Sequence, residues 1–286
     1  MFQKADTLYF PGCMTDVKYK EHYDLYKKIF SKLGLKVIWS ENVICCGLPA
    51  LEMGYENEAR KLARKKFELL KENNIKKIVT NCSGCYKMFK QNYPEVLPDW
   101  DIEVLDIWRL VLDRLLDKQW LIKNIAGETV TYDDSCYLGR YCGIYDEPRR
   151  ILDLIGYKVE EMSDSKENAI CSGGCGSLPI INLQLADEIA RQRLLQAKRK
   201  GIKKMIVASM KDYDLLKKNG KELGIEVIEL SEAIAKALDI WVDKINEEVK
   251  PKEENEEENE IDEETAKKMK DEEEINKLIG ENSNKL

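Results

Sequence analysis

The order of elements in this chain repeats, and the repeat constrains the fold more than any other feature. Asn74-Ile75-Lys76-Lys77-Ile78-Val79-Thr80 lines up with Gly201-Ile202-Lys203-Lys204-Met205-Ile206-Val207, and Ile102-Glu103-Val104-Leu105 with Ile225-Glu226-Val227-Ile228. Ile44-Cys45-Cys46-Gly47 matches Ile170-Cys171-Ser172-Gly173, Cys13 matches Cys136, and the offsets all fall between 123 and 127 residues. A chain of this kind builds one supersecondary unit twice. In the first copy, β-branched runs at Thr7–Phe10, Lys36–Trp39, Lys77–Thr80 and Glu103–Leu105 predict strands. Amphipathic segments at Tyr19–Leu33, Glu52–Glu72 and Ile107–Leu116 predict the helices between and after them. Strands alternating with helices of ten or more residues imply βαβ units. The expected class is therefore α/β, with two pseudo-symmetric repeats, mainly parallel sheets and metal sites at the carboxyl ends of the strands.

Five of the nine cysteines lie in the first copy: Cys13, then Cys45-Cys46 after 31 residues, then Cys82 and Cys85 after a further 35. Each sits in turn chemistry, in Pro11-Gly12-Cys13, Cys45-Cys46-Gly47-Leu48-Pro49 and Asn81-Cys82-Ser83-Gly84-Cys85. Glycine and proline beside cysteine let the backbone wrap a metal and present several thiolates to it. Five thiolates exceed what a tetrahedral zinc needs, so the pattern favours a polynuclear iron–sulfur centre. Each group follows a predicted strand, which brings cysteines distant in sequence to one sheet edge. Helices starting after Cys46 and near Cys85 would stabilise thiolates with their N-terminal partial charge. A disulfide framework is the competing reading. It belongs mainly to short secreted chains, and the opening Met1-Phe2-Gln3-Lys4-Ala5-Asp6 carries no apolar signal segment.

The net charge of −7 divides unevenly: from Pro251 onward there are 14 acidic and 6 basic residues, against 39 and 40 before it. The body is thus neutral, and no basic face suggests nucleic acid. No run of about 20 apolar residues suggests a membrane span, and the expected location is the cytoplasm. The expected domains are 1–125 with the complete five-cysteine set, 126–245 with a degenerate set, and an acidic tail over 246–286, disordered or loosely helical. Charged residues make up 35% of the chain, with heavy use of Lys and Glu, a composition that leans toward a thermophile.

The spacing and the Cys-Cys-Gly triplet resemble the cysteine-rich domain of the B-type heterodisulfide reductase subunits, also found in glycolate oxidase iron–sulfur subunits and lactate-utilisation proteins. Cys136-Tyr137-Leu138-Gly139-Arg140-Tyr141 and Gly143-Ile144-Tyr145-Asp146-Glu147-Pro148-Arg149-Arg150-Ile151-Leu152 extend the likeness through the second copy, over roughly residues 6–240. The resemblance implies a noncubane 4Fe–4S cluster on Cys13, Cys45, Cys46, Cys82 and Cys85. In the second copy the counterparts of Cys46, Cys82 and Cys85 are Ser172, Ser209 and Asp212, while Cys142 and Cys175 are new. Cys136, Cys142, Cys171 and Cys175 are then four thiols for a second centre, either a cubane 4Fe–4S cluster or a Zn2+ ion.

Conventional catalytic equipment is sparse. His22, the one histidine, falls on a predicted amphipathic helix and reads as solvated or capping. Tyr137, Tyr141 and Tyr145 read as packing or as lining near the second centre, and Arg140 as an anion holder or a surface ion pair. No CxxCxxCxxxCP run and no GxGxxG after a strand occur, so electrons must come from or go to another protein. The resemblance implies a ferredoxin-like iron–sulfur subunit of the C type as that protein, with a flavoprotein beyond it. The expected function is an oxidoreductase subunit passing electrons to or from a thiol, disulfide or persulfide. The alternatives are a non-catalytic relay for a quinone- or hydroxyacid-linked enzyme, and a zinc scaffold.

Overall fold

Eight short strands form two four-stranded, all-parallel sheets in the computed structural model, which describes residues 6–40 and 45–241. The first sheet contains β1 (Thr7–Phe10), β2 (Ile38–Trp39), β3 (Lys77–Thr80) and β4 (Glu103–Asp106), in the order β2-β1-β3-β4. The second contains β5 (Thr129–Asp133), β6 (Lys158–Val159), β7 (Lys204–Val207) and β8 (Glu226–Glu229), in the matching order β6-β5-β7-β8. The register repeats as well. Tyr9 sits opposite Val79 in the first sheet, and Tyr132 opposite Ile206 in the second. The duplicated α/β architecture is therefore as the sequence implies.

The first half carries α1 (Lys20–Leu33), α2 (Leu48–Glu52), α3 (Glu56–Glu72), α4 (Ser83–Lys87), α5 (Tyr93–Val96) and α6 (Ile107–Asp117). The second carries α7 (Asp146–Leu154), α8 (Leu178–Ile181), α9 (Leu183–Arg199), α10 (Met210–Leu223) and α11 (Leu230–Ala237). One predicted helix needs correction. The segment Glu52–Glu72 is interrupted, because Gly54 adopts φ +85° and the chain restarts as α3 at Glu56. A left-handed residue cannot continue a right-handed helix.

The two sheets belong to one compact unit. A single core joins Tyr9, Phe30 and Trp108 of the first half to Val130, Ile151, Leu230 and Ile234 of the second. A smaller core lies within the second half around Ala186, Leu194, Met205 and Leu216. Contacts of α1 with α11 and of α6 with α7 cross between halves. The end of each sheet's last strand caps the next helix with a carboxylate. Asp106 accepts from the Trp108 amide at 2.9 Å, and Glu229 from the Ser231 amide at 2.7 Å. No helix among the described residues is long and apolar enough to cross a membrane. The acidic tail lies outside the described residues.

His22 also departs from expectation. It is only 1% exposed, edge-on to Tyr19 and Tyr213, because α11 of the other half covers that face of α1. Its Nε2 lies 3.1 Å from Glu232 and its Nδ1 3.6 Å from Glu21, with Glu229 nearby. Burial alone would lower its pKa, but these carboxylates prevail and hold it at about 9. A folded pKa above the unfolded value means the stabilisation is fully present below about pH 6.5 and is lost as pH rises through about 9. We expect up to about 3 kcal/mol of stability to disappear across that window. The loss should be absent in His22→Gln, as followed by denaturant unfolding at a series of pH values.

Candidate metal centre

The strand ends position the first five thiols. In a parallel sheet all carboxyl ends share one edge, and ligands gather there. Cys13 lies three residues beyond β1 and Cys82 two beyond β3, while Cys45-Cys46 follow β2 and lead into α2. Asn81 ties two of these loops together. It accepts from the Tyr9 hydroxyl at 2.9 Å and donates to Thr15 at 2.8 Å. Cys82 caps α4, its sulfur accepting from the Cys85 amide at 3.3 Å, while the Cys82 amide donates to Thr80 at 3.1 Å. The Tyr93 hydroxyl holds the Cys46 carbonyl at 3.1 Å.

The thiols form a run of contacts from Cys45 to Cys46, Cys85 and Cys82, with Cys13 in electrostatic reach of Cys82 and Cys46. Cys46, Cys82 and Cys85 are buried, Cys45 is half-buried and Cys13 is exposed. Donation from the Cys45 and Cys85 thiols, then from the Leu48 amide, holds Cys46 well below the usual thiol range. Cys45 and Cys85 rise correspondingly as the donors.

Gly12 shows how tightly the loops approach. It has φ +72°, and a Cβ there would lie 2.5 Å from Cys82 Cβ and 3.3 Å from Cys85 Sγ. Only glycine leaves this space, which suits a group wrapped by several thiols. Gly12→Ala is expected to cost at least about 1–2 kcal/mol from the left-handed conformation alone. It should also lower bound iron, as a thermal melt and iron analysis would read.

Two lysines supply positive charge. Lys66 on α3 is buried, its ammonium 4.4 Å from the centroid of the Phe10 ring, and feels Cys46, Cys85 and Cys45. Burial dominates and lowers its pKa. Lys211, in the first turn of α10, comes from the other half. Burial opposes its charge, yet Cys82, Glu52, Cys85 and Cys46 hold its pKa above the usual value. Cations held near thiolates compensate an anionic centre. The sequence reading missed both, though Lys66 interrupts the buried stripe Ala59, Ala63, Phe67 and Leu70, which marks it.

In the second half, Cys136, Cys171 and Cys175 bring their sulfurs within 4.8 Å of one another. Cys142 lies outside this group. Its half-buried thiol is pushed up to about 11 by burial, opposed by Lys87 and reinforced by Asp106. Donation from Cys136, then from Cys175, lowers Cys171 to about 2. Among the described residues, no other three cysteines, histidines or carboxylates cluster as closely. The first five thiols are thus spread along a run rather than closed around one point.

The halves are stitched together between the sites. Glu52 accepts from the Tyr137 hydroxyl and, at 3.1 Å, from Ser177. Ser83 donates to Ser209 at 2.9 Å. Arg140 donates to the Ala169 carbonyl, Tyr141 is exposed and stacks on Tyr137, and Tyr145 packs against Gly139. Asp133 and Asp134, just before Cys136, are held by Arg193 and Arg149 respectively, both at 2.7 Å.

The model of the cysteine-rich domain family named CCG matches residues 7–90 and 130–211, one match in each half. The D-type subunit of dihydromethanophenazine:CoB–CoM heterodisulfide reductase from Methanosarcina mazei is 32% identical over 200 residues, covering 68% of this chain and 49% of that protein. EtfAB:quinone oxidoreductase of Syntrophomonas wolfei is 28% identical over 177 residues, covering 61% and 24%. The chain spans about half the length of the heterodisulfide reductase relatives it matches. Among solved structures, Picrophilus torridus aspartate racemase aligns with a TM-score of 0.37 and 15% identity, over 82% of this chain and 93% of that one.

Proposed function

This chain belongs to the CCG cysteine-rich domain family, and from that premise we propose that it is an iron–sulfur subunit of a heterodisulfide-reductase-like assembly. Cys13, Cys45, Cys46, Cys82 and Cys85 are its ligands for a noncubane 4Fe–4S cluster. When bound, the cluster supplies one-electron transfer to or from a small thiol, disulfide or persulfide. Soft sulfur matches iron–thiolate surroundings. One observation carries the reading: the five thiols run along one sheet edge, with Cys13 open to solvent and Cys46, Cys82 and Cys85 enclosed. Lys66 and Lys211 offset negative charge, and Gly12 packs closely against Cys82 on the enclosed side. A substrate therefore arrives past Cys13.

The same reading assigns residues 1–125 and 126–245 to the two repeats and a second metal centre to the second. It puts the protein in the cytoplasm, with a ferredoxin-like iron–sulfur subunit of the C type and a flavoprotein as redox partners. The relay alternative has its own support in the EtfAB:quinone oxidoreductase relative. Electron paramagnetic resonance of the anaerobically purified, iron-loaded full chain separates the two. A spectrum altered by added thiol or disulfide supports substrate chemistry. An unaltered spectrum at full iron content supports the relay, and absence of iron after reconstitution overturns both.

A further inference from the structure

The duplication sets the two halves side by side, and one buried cation is held differently in each. The helices α3 and α9 are both 17 residues long and keep step along the repeat. Ala59, Ala63, Phe67 and Leu70 correspond to Ala186, Ala190, Leu194 and Ala197, all buried. Lys66 then corresponds to Arg193, and both are buried. Phe10 at the end of β1 corresponds to Asp133 at the end of β5, each three residues before the first cysteine of its half.

In the second half the cation meets a carboxylate, with Arg193 Nε donating to Asp133 at 2.7 Å. In the first half an aromatic ring fills that place, and Lys66 Nζ lies 4.4 Å from the Phe10 centroid. A ring attracts a cation through its quadrupole but brings no net charge to match it. The helix carrying Lys66 also packs against the thiol loop. A Cβ on Gly47, the residue after Cys46, would lie 3.3 Å from the Ala59 carbonyl oxygen and 3.6 Å from Leu62 Cβ. Ala59, Leu62 and Lys66 follow one another at helical spacing along one face of α3. The groups that act on the Lys66 charge are accordingly the thiols Cys46, Cys85 and Cys45.

We propose that Lys66 sets the reduction potential of the first centre, its charge placed by Phe10 and α3 so that it favours the reduced, more negative form. The inference rests on the proposed function in taking the five thiols as an iron–sulfur site. One electron passes from an external reductant to the loaded centre, while Lys66 keeps its proton and no bond forms or breaks at it. Net charge and enclosure tune such potentials, and a charge in an enclosed site is screened far less than one in water. In the second half Asp133 cancels the equivalent charge, so Arg193 brings no net charge toward Cys136, Cys171 and Cys175.

The test is a reductive titration of the full chain, purified anaerobically and loaded with iron, followed by electron paramagnetic resonance against mediators of known potential. Lys66→Met should move the one-electron equilibrium toward the oxidised form at least tenfold, about 59 mV downward for a one-electron couple. Lys66→Arg should retain the parent potential. Lys61→Met removes the same charge from an exposed turn of α3 and should leave the potential in place. Phe10→Asp keeps Lys66 but gives it the partner that Arg193 has, and should lower the potential in the same direction. That variant keeps the test decisive if Lys66→Met fails to load. An unchanged potential in a loaded Lys66→Met or Phe10→Asp chain, or an equal shift in Lys61→Met, overturns the inference, while an iron-loaded parent leaves the first-centre reading intact. Absence of iron from the reconstituted parent overturns that reading and this inference together.

Discussion

Replacing Cys46 with serine is expected to strip the first centre of its iron, about four atoms per chain for a 4Fe–4S group, while leaving the second metal in place. Cys46 lies at the middle of the thiol run, touching Cys45 on one side and Cys85 on the other. It is buried, and its carbonyl anchors Tyr93. Serine offers a harder and less readily ionised donor at the same point, a poor match for iron–sulfur surroundings. Lys66 and Lys211 would then face a site short of negative charge, which disfavours assembly further. The complementary substitution, Cys175→Ser, should remove the second metal and preserve the first-centre spectrum. Iron and zinc analysis with electron paramagnetic resonance reads both. Full iron in Cys46→Ser, or loss of all iron in Cys175→Ser, would sink the assignment of two independent centres.

Arg193→Met should produce the largest loss of stability among single changes remote from the thiols, about 3–5 kcal/mol. Arg193 is completely buried on α9. It donates to Asp133 at 2.7 Å, to the Asp164 carbonyl at 2.6 Å and to Gln196 at 2.8 Å. Asp133 ends β5, and burial already raises its carboxyl pKa despite this arginine. Without the guanidinium, the carboxylate is left as an uncompensated buried charge. The deficit should narrow as pH falls into the carboxyl range, because a protonated Asp133 needs no counter-charge. Adding Asp133→Leu should recover much of the loss, since deleting both partners removes the orphan charge. Denaturant midpoints at constant slope would show this. A loss below about 1 kcal/mol in Arg193→Met would refute it.

The strands β1 and β3 begin and end where the β-branched runs do, because hydrophobic alternation and turn residues are local properties. The interruption at Gly54 was less legible, since apolar periodicity continues from α2 into α3 and hides a single left-handed residue. His22 shows a different limit. Its own helix reads as amphipathic, but the surface that buries it includes Glu232, 210 residues away. Glu52 had no local mark either: it reaches Tyr137 and Ser177 only because the halves pack together.

The sequence by itself determined the duplication, the α/β class, the parallel strands and the strand-end placement of the thiols, because periodicity and turn chemistry act over a few residues and repeat at a steady offset. Tertiary structure alone decided which thiols meet. Cys142 has spacing as suitable as that of Cys136, yet packing leaves it outside the group that closes around Cys136, Cys171 and Cys175. It likewise decided that Lys211, from the second half, lends its charge to the thiols of the first. Distance between side chains depends on how two sheets and their helices pack, and spacing along the chain carries no measure of that.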